Sequence, residues 1–90
     1  MRRVRVVVTG SVQGVGFRWS TRTVADKYGL AGWVRNRSDG AVEAELEGSP
    51  EAVDSMLAWL RKGPPSAGVS TVDVVEIPAK GEAGFVVEPH

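Results

Sequence analysis

The chain opens on an alternation. Within Met1–Gly10, Val4, Val6 and Val8 fall on one side and Arg3, Arg5, Val7 and Thr9 on the other, the period of two that marks a half-buried strand. Ser11–Gly16 follows with two glycines, Gly14 and Gly16, and no period of either kind; it reads as a tight loop. Phe17, Thr21, Val24, Ala25 and Tyr28 then recur at i, i+4, i+7, i+8 and i+11, one stripe of a helix that Gly29 is placed to end. Ala31–Asn36 reads as a second strand and Ser38-Asp39-Gly40 as a hairpin turn. In the next strand Val42, Ala44 and Leu46 point one way and Glu43, Glu45 and Glu47 the other, which predicts one buried face and one solvated face. A second helix opens at Gly48-Ser49-Pro50-Glu51, with Ser49 suited to the N-cap, Pro50 to the first helical position, and Glu51 and Asp54 to the positive helix start. Its stripe is Val53, Met56, Leu57 and Leu60. Arg61 and Lys62 lie in its last turn, and Gly63-Pro64-Pro65 stops it. Val69–Ile77 is a long strand in which Val72/Val74 and Val75/Ile77 compete for the buried face, and Phe85–Glu88 is a candidate short final strand.

This order, β-α-β-β-α-β with an optional extra strand, predicts a ferredoxin-like α+β sandwich: a mainly antiparallel sheet with both helices on one face. Ninety residues fit one domain spanning 1–90 with one modest core. Composition changes this picture in one respect: there is no cysteine, which removes disulfides, thiolate zinc sites and cysteine nucleophiles together. No apolar run approaches the ~18 residues of a membrane span, and Met1-Arg2-Arg3-Val4-Arg5 does not begin a signal peptide. The expectation is a soluble, cytoplasmic chain without a membrane partner. The fold by itself assigns no function.

Charge is more informative than its zero net value. Residues 1–37 carry eight Arg/Lys against one acid, and residues 38–90 carry three against ten, giving +7 and −7. Either the first part handles an anionic partner, or the two parts attract one another across the fold. Gly10-Ser11-Val12-Gln13-Gly14-Val15-Gly16-Phe17-Arg18 joins a strand to a helix. Unpaired amides at a helix start attract anions, and glycines let successive N–H groups converge as a nest. Arg18 sits where a cation opposes the helix dipole; a guanidinium there suits a phosphate that the amides already hold. The loop has neither Gly-Lys-Ser/Thr nor dinucleotide spacing, so an ordinary strand-to-helix connection is the alternative. The crossover also makes strands one and two parallel with one strand between them, which brings the end of strand two, Asn36, to within ~10 Å of the loop. An anion and a water fit that gap; the alternative for Asn36 is a turn residue.

Val12-Gln13-Gly14-Val15-Gly16-Phe17-Arg18 followed by Gly32-Trp33-Val34-Arg35-Asn36 resembles the acylphosphatase signature. The resemblance continues through Asp39-Gly40-Ala41-Val42-Glu43, Glu47-Gly48 and Gly63-Pro64-Pro65. It implies an enzyme that hydrolyses the carboxyl–phosphate bond of acyl phosphates to a carboxylate and inorganic phosphate, the latter acting as product and inhibitor. By the same resemblance the backbone of Gln13, Gly14, Val15, Gly16 and Phe17 cradles the phosphate, Arg18 supplies the principal charge contact, and Asn36 orients the attacking water. Arg37 stands where animal members often carry Thr, so hydroxyl assistance beside Asn36 is not carried over.

Such chemistry makes few demands. The leaving group is a carboxylate that departs without a proton, and phosphoryl transfer is mostly positioning plus electrostatics. No cofactor and no metal is expected. His90, the only histidine, is expected to be frayed, and the acids from Asp39 onward read as solvated strand-face or helix-start residues. Trp33 and Tyr28 are expected in core or lid packing and Trp59 on a partly buried flank. Trp19 is expected to have a structural role, with contact to an acyl group as the alternative. Arg2, Arg3 and Arg5 are expected on a solvated face. Two rival readings are weighed: an RNA-binding module of the same topology, disfavoured by the absence of aromatics on strands one and three, and a domain that binds phosphate or carbamoyl phosphate without turnover. The expected state is a monomer that binds no nucleic acid.

Overall fold

The computed structural model describes residues 1–89; His90, and with it the expectation of a frayed histidine, lies outside the described residues. Five strands and two helices follow in the order β1 (Arg2–Ser11), α1 (Phe17–Lys27), β2 (Ala31–Asn36), β3 (Val42–Gly48), α2 (Pro50–Lys62), β4 (Gly68–Ile77) and β5 (Phe85–Val87). The sheet order is β4-β1-β3-β2-β5. All pairings are antiparallel except β2 with β5, where Gly32, Trp33 and Val34 face Phe85, Val86 and Val87. This is the ferredoxin-like α+β fold, with the short C-terminal strand present.

Local chemistry explains the elements. Ser49 Oγ accepts from the Ala52 N–H at 3.1 Å, Pro50 opens α2, Glu51 lies in its first turn, and Gly63 ends it at φ 68°. Val4, Val6 and Val8 from β1, Val34 from β2 and Val42, Ala44 and Leu46 from β3 meet Phe17 and Ala25 of α1 and Val53, Met56, Leu57 and Leu60 of α2 in one buried cluster. The faces of β4 resolve by register. Val72 and Val74 oppose Val8 and Val6 and join the core, whereas Val75 and Ile77 oppose Arg5 and Arg3 on the other face.

That other face differs from its expectation. Glu43, Glu45 and Glu47 are buried, and Arg3 is only 1% exposed. The register sets Arg3 against Glu47 and Arg5 against Glu45 across the β1–β3 ladder. Arg3 Nη2 lies 2.8 Å from Glu45 and 3.0 Å from Glu82, while its Nη1 lies 3.1 Å from Glu47. The stretch between β4 and β5 is fastened here as well, because the N–H groups of Lys80 and Gly81 donate to the Glu47 carboxylate at 2.7 and 2.9 Å. Alternating charge on two neighbouring strands thus closes a polar layer instead of wetting it. Tyr28, expected in core or lid packing, lies outside the core: it caps the end of α1 and is 37% exposed. Trp33 is half-buried beneath Arg35, 5.2 Å from its ring centre, and Trp59 flanks the core with its ring 5.8 Å from that of Phe17.

Candidate active site

The loop between β1 and α1 is anchored by its apolar side chains. Val12 and Phe17 are buried and Val15 packs against the core. Gly14 and Gly16 turn the backbone between them at left-handed φ values of 76° and 75°, and a Cβ at either would meet nothing within 4 Å. Their requirement is therefore conformational rather than spatial. Gly16 is also the N-cap of α1; it offers no side-chain acceptor, and the first turn contains no acid. Among the described residues no oxygen accepts from the backbone N–H groups of Gly14, Val15, Gly16, Phe17 and Arg18. Unsatisfied donors at a helix start with adjoining left-handed turns form an anion-binding concavity.

Arg18 stands in the first turn of α1, and its Nη1 donates to the Glu88 carbonyl at 2.7 Å. A guanidinium has five N–H donors in a fixed fork, so this bond orients the group and leaves donors for an anion. Asn36 ends β2, with β3 lying between β2 and β1. Gly14, Gly16, Phe17, Arg18, Trp19 and Asn36 together line one recess of about 220 Å³, a size for a small ligand rather than the ~300–1,000 Å³ of drug-sized pockets. The sequence-expected residues Arg18 and Asn36 and the loop glycines are thus brought together. Trp19, 59% exposed, borders the same recess.

Gln13 and Val15 are placed differently from the glycines. The Gln13 side chain turns to the β2–β3 hairpin, and the Val15 carbonyl accepts from Ser66 Oγ at 3.0 Å. Sequence reading missed Ser66, the Glu88 carbonyl and the Gln13 side-chain bonds. No residue type announces a carbonyl, and only the fold shows that residues 66 and 88 meet a loop at residues 12–18.

Electrostatics single out Arg18. Arg2 pairs with Glu76 and Asp54, Arg3 and Arg5 with Glu45, Arg22 with Asp26, Arg35 with Glu43 and Arg37 with Asp39. The Asp39 carboxyl is held below its usual range by the Ala41 N–H and, against some desolvation, by Arg37. The opposite charges of the two parts of the chain are therefore spent largely on one another. Among the described residues Arg18 is the arginine of residues 1–37 without a carboxylate partner. A wider recess of about 480 Å³ lies against Arg35, Asn36, Arg37, Ser38 and Glu43. Both its arginines are already paired and it contains a carboxylate, so the smaller recess is the better anion site. Among the described residues no three His, Cys, Asp or Glu side chains gather as a metal site, and no helix is long and apolar enough to cross a membrane.

A sequence model of the acylphosphatase family matches residues 4–87. A Rubrobacter xylanophilus acylphosphatase is 55% identical over 87 residues, covering 96% of this chain and 79% of that protein. One from Methylococcus capsulatus is 52% identical over 82 residues, covering 91% and 89%. The crystal structure of a Bacillus subtilis acylphosphatase superposes with a TM-score of 0.96 at 40% identity, covering 99% of this chain and all of that one. Family match, identity over most of the length and shared fold agree: the chain belongs to the acylphosphatase family of hydrolases.

Proposed function

We propose that this chain hydrolyses acyl phosphates without a metal or cofactor, as one cytoplasmic, monomeric domain over residues 1–90. The amides of Gln13–Phe17 and the Arg18 guanidinium hold the phosphoryl oxygens, and Asn36 orients the water. Water attacks phosphorus in line as the phosphorus–oxygen bond to the acyl group breaks. The electron pair of that bond leaves with the carboxylate, and the water proton passes to a phosphoryl oxygen, so the products are RCOO⁻ and dihydrogen phosphate. No general acid is needed for so weakly basic a leaving group, and catalysis is positioning plus electrostatic stabilisation.

The observation that carries this reading is an arginine with no carboxylate partner among the described residues, beside unpaired helix-start amides in a recess that also contains Asn36. The RNA-binding alternative has little support: Trp33, the aromatic on the open face, is half-buried beneath Arg35. The test is hydrolysis of benzoyl phosphate with orthophosphate as competitor. Arg18→Ala is expected to weaken orthophosphate binding and lower turnover, whereas Asn36→Ala lowers turnover by ~100–1,000-fold and keeps orthophosphate affinity. A chelator should leave the rate unchanged. Equal loss of orthophosphate binding in both variants contradicts the separate roles.

A further inference from the structure

We infer that the side-chain amide of Gln13 is the positioning residue that sets the spacing between the phosphate cradle and Asn36; this rests on the functional reading above. The sheet fixes the Asn36 end of that spacing but not the cradle end. The β1–β3 ladder ends at Val8 opposite Val42, and the β2–β3 ladder ends at Asn36 opposite the same Val42. Beyond Val8, β1 runs to Ser11 with β4 alone as its partner, and the cradle follows. Asn36 is held on the last rung of β3, whereas the cradle lies past the end of that strand, where small movement relative to Asn36 meets little backbone resistance.

Gln13 closes the gap. Its Nε2 donates to the Arg37 carbonyl at 2.7 Å and to the Ala41 carbonyl at 3.0 Å. Both partners are acceptors, so only the NH₂ end of the amide can face them, and the orientation follows from chemistry. The two carbonyls belong to the residues that close the hairpin, with the Arg37 N–H donating to the Ala41 carbonyl at 2.8 Å. Arg37 directly follows Asn36. One side chain, itself part of the loop that precedes Gly14, therefore fastens the segment that would hold phosphate to the segment that would hold water. In-line attack depends on the distance between those two. A misplacement of ~1 Å costs on the order of 100-fold in rate.

Gln13→Met retains length and bulk and removes both donors; Gln13→Ala is the second variant should the first fail to fold. On benzoyl phosphate the expected result is a fall in kcat of roughly 10-fold or more, with the orthophosphate dissociation constant within about twofold of the unsubstituted protein. In an Asn36→Ala background the same substitution should add little, because the group it positions is already gone. An unchanged kcat, or an equal loss in both backgrounds, overturns the inference. A readout independent of turnover is the NMR resonance of the Asn36 side-chain amide, which should move in Gln13→Met; an unmoved resonance also overturns it. If the unsubstituted protein does not hydrolyse benzoyl phosphate, the functional reading fails, and the Asn36 resonance still decides whether Gln13 sets the position of that side chain.

Discussion

At the scale of single residues, Arg18 shows what a guanidinium does that another cation cannot. One of its donors meets the Glu88 carbonyl, and its fork can meet that carbonyl and a phosphoryl oxygen together, whereas an ammonium acts as a point charge on a mobile stem. Arg18→Lys should therefore raise KM for benzoyl phosphate by ~10-fold, about 1.4 kcal/mol of binding, although the formal charge is kept; initial-rate kinetics would show it, and an unchanged KM would mean that charge alone suffices. Gly16→Ala is a backbone probe of the same cradle. Open space surrounds the position, so its cost comes from φ 75°, ~1–2 kcal/mol for a residue with a Cβ. Thermal denaturation measures that cost, and orthophosphate titration reports whether the cradle has relaxed. Both residues were legible in the sequence because their types are odd for their places: a cation in a helix's first turn, and glycines where no strand or helix needs them. Asn36 was less legible, since an asparagine before Ser-Asp-Gly is equally a turn residue.

At the scale of elements, periodicity located β1, β3 and both helices. Both β2 and β4 read as strands without a clear period, β5 was only a candidate, and the caps of α2 were readable from Ser49, Pro50 and Gly63. Which neighbours the elements would find was harder. Phe85–Val87 is three residues long, too short for any pattern to reveal that it lies parallel to β2, yet it leads directly into Glu88, whose carbonyl holds Arg18. Phe85 is buried in the core and secures this strand. Phe85→Ala should cost ~3–5 kcal/mol. Because the strand delivers the Glu88 carbonyl, it should also raise KM for benzoyl phosphate at temperatures where the variant remains folded. A variant with the expected loss in urea stability and an unchanged KM would show that Arg18 does not depend on β5 for its orientation.

At the scale of the whole molecule, the open face of the sheet is where sequence reasoning erred, and the reason is physical. Alternating acids on one strand announce water when that strand is considered alone. They announce an ion-pair layer when the adjacent strand alternates arginines in matching register, and register is a property of two strands together. Arg3 lies at the centre of this layer among Glu45, Glu47 and Glu82. Removing it as Arg3→Met would take the buried guanidinium from the Glu45 and Glu47 carboxylates, and the expected loss is ~3–5 kcal/mol. The layer also makes stability depend on pH. The Lys80 N–H, followed by Arg3 and the Gly81 N–H, holds the Glu47 carboxyl below its usual range against the opposing effect of desolvation. For Glu45, burial alone would raise the carboxyl, but bonds from Arg3, Lys80 and Arg5 bring it below that range as well. Carboxyls depressed in the folded chain contribute stability at pH above the ordinary glutamate value of ~4.3, and the contribution is lost as pH falls through the folded values. The thermal midpoint should therefore drop steadily as pH is lowered from about 5 toward 3. Glu47→Gln, which cannot titrate, should be less stable at pH 7 and show a shallower acid slope. Parallel slopes for the two proteins would place the acid sensitivity elsewhere and reduce the Glu47 contacts to packing.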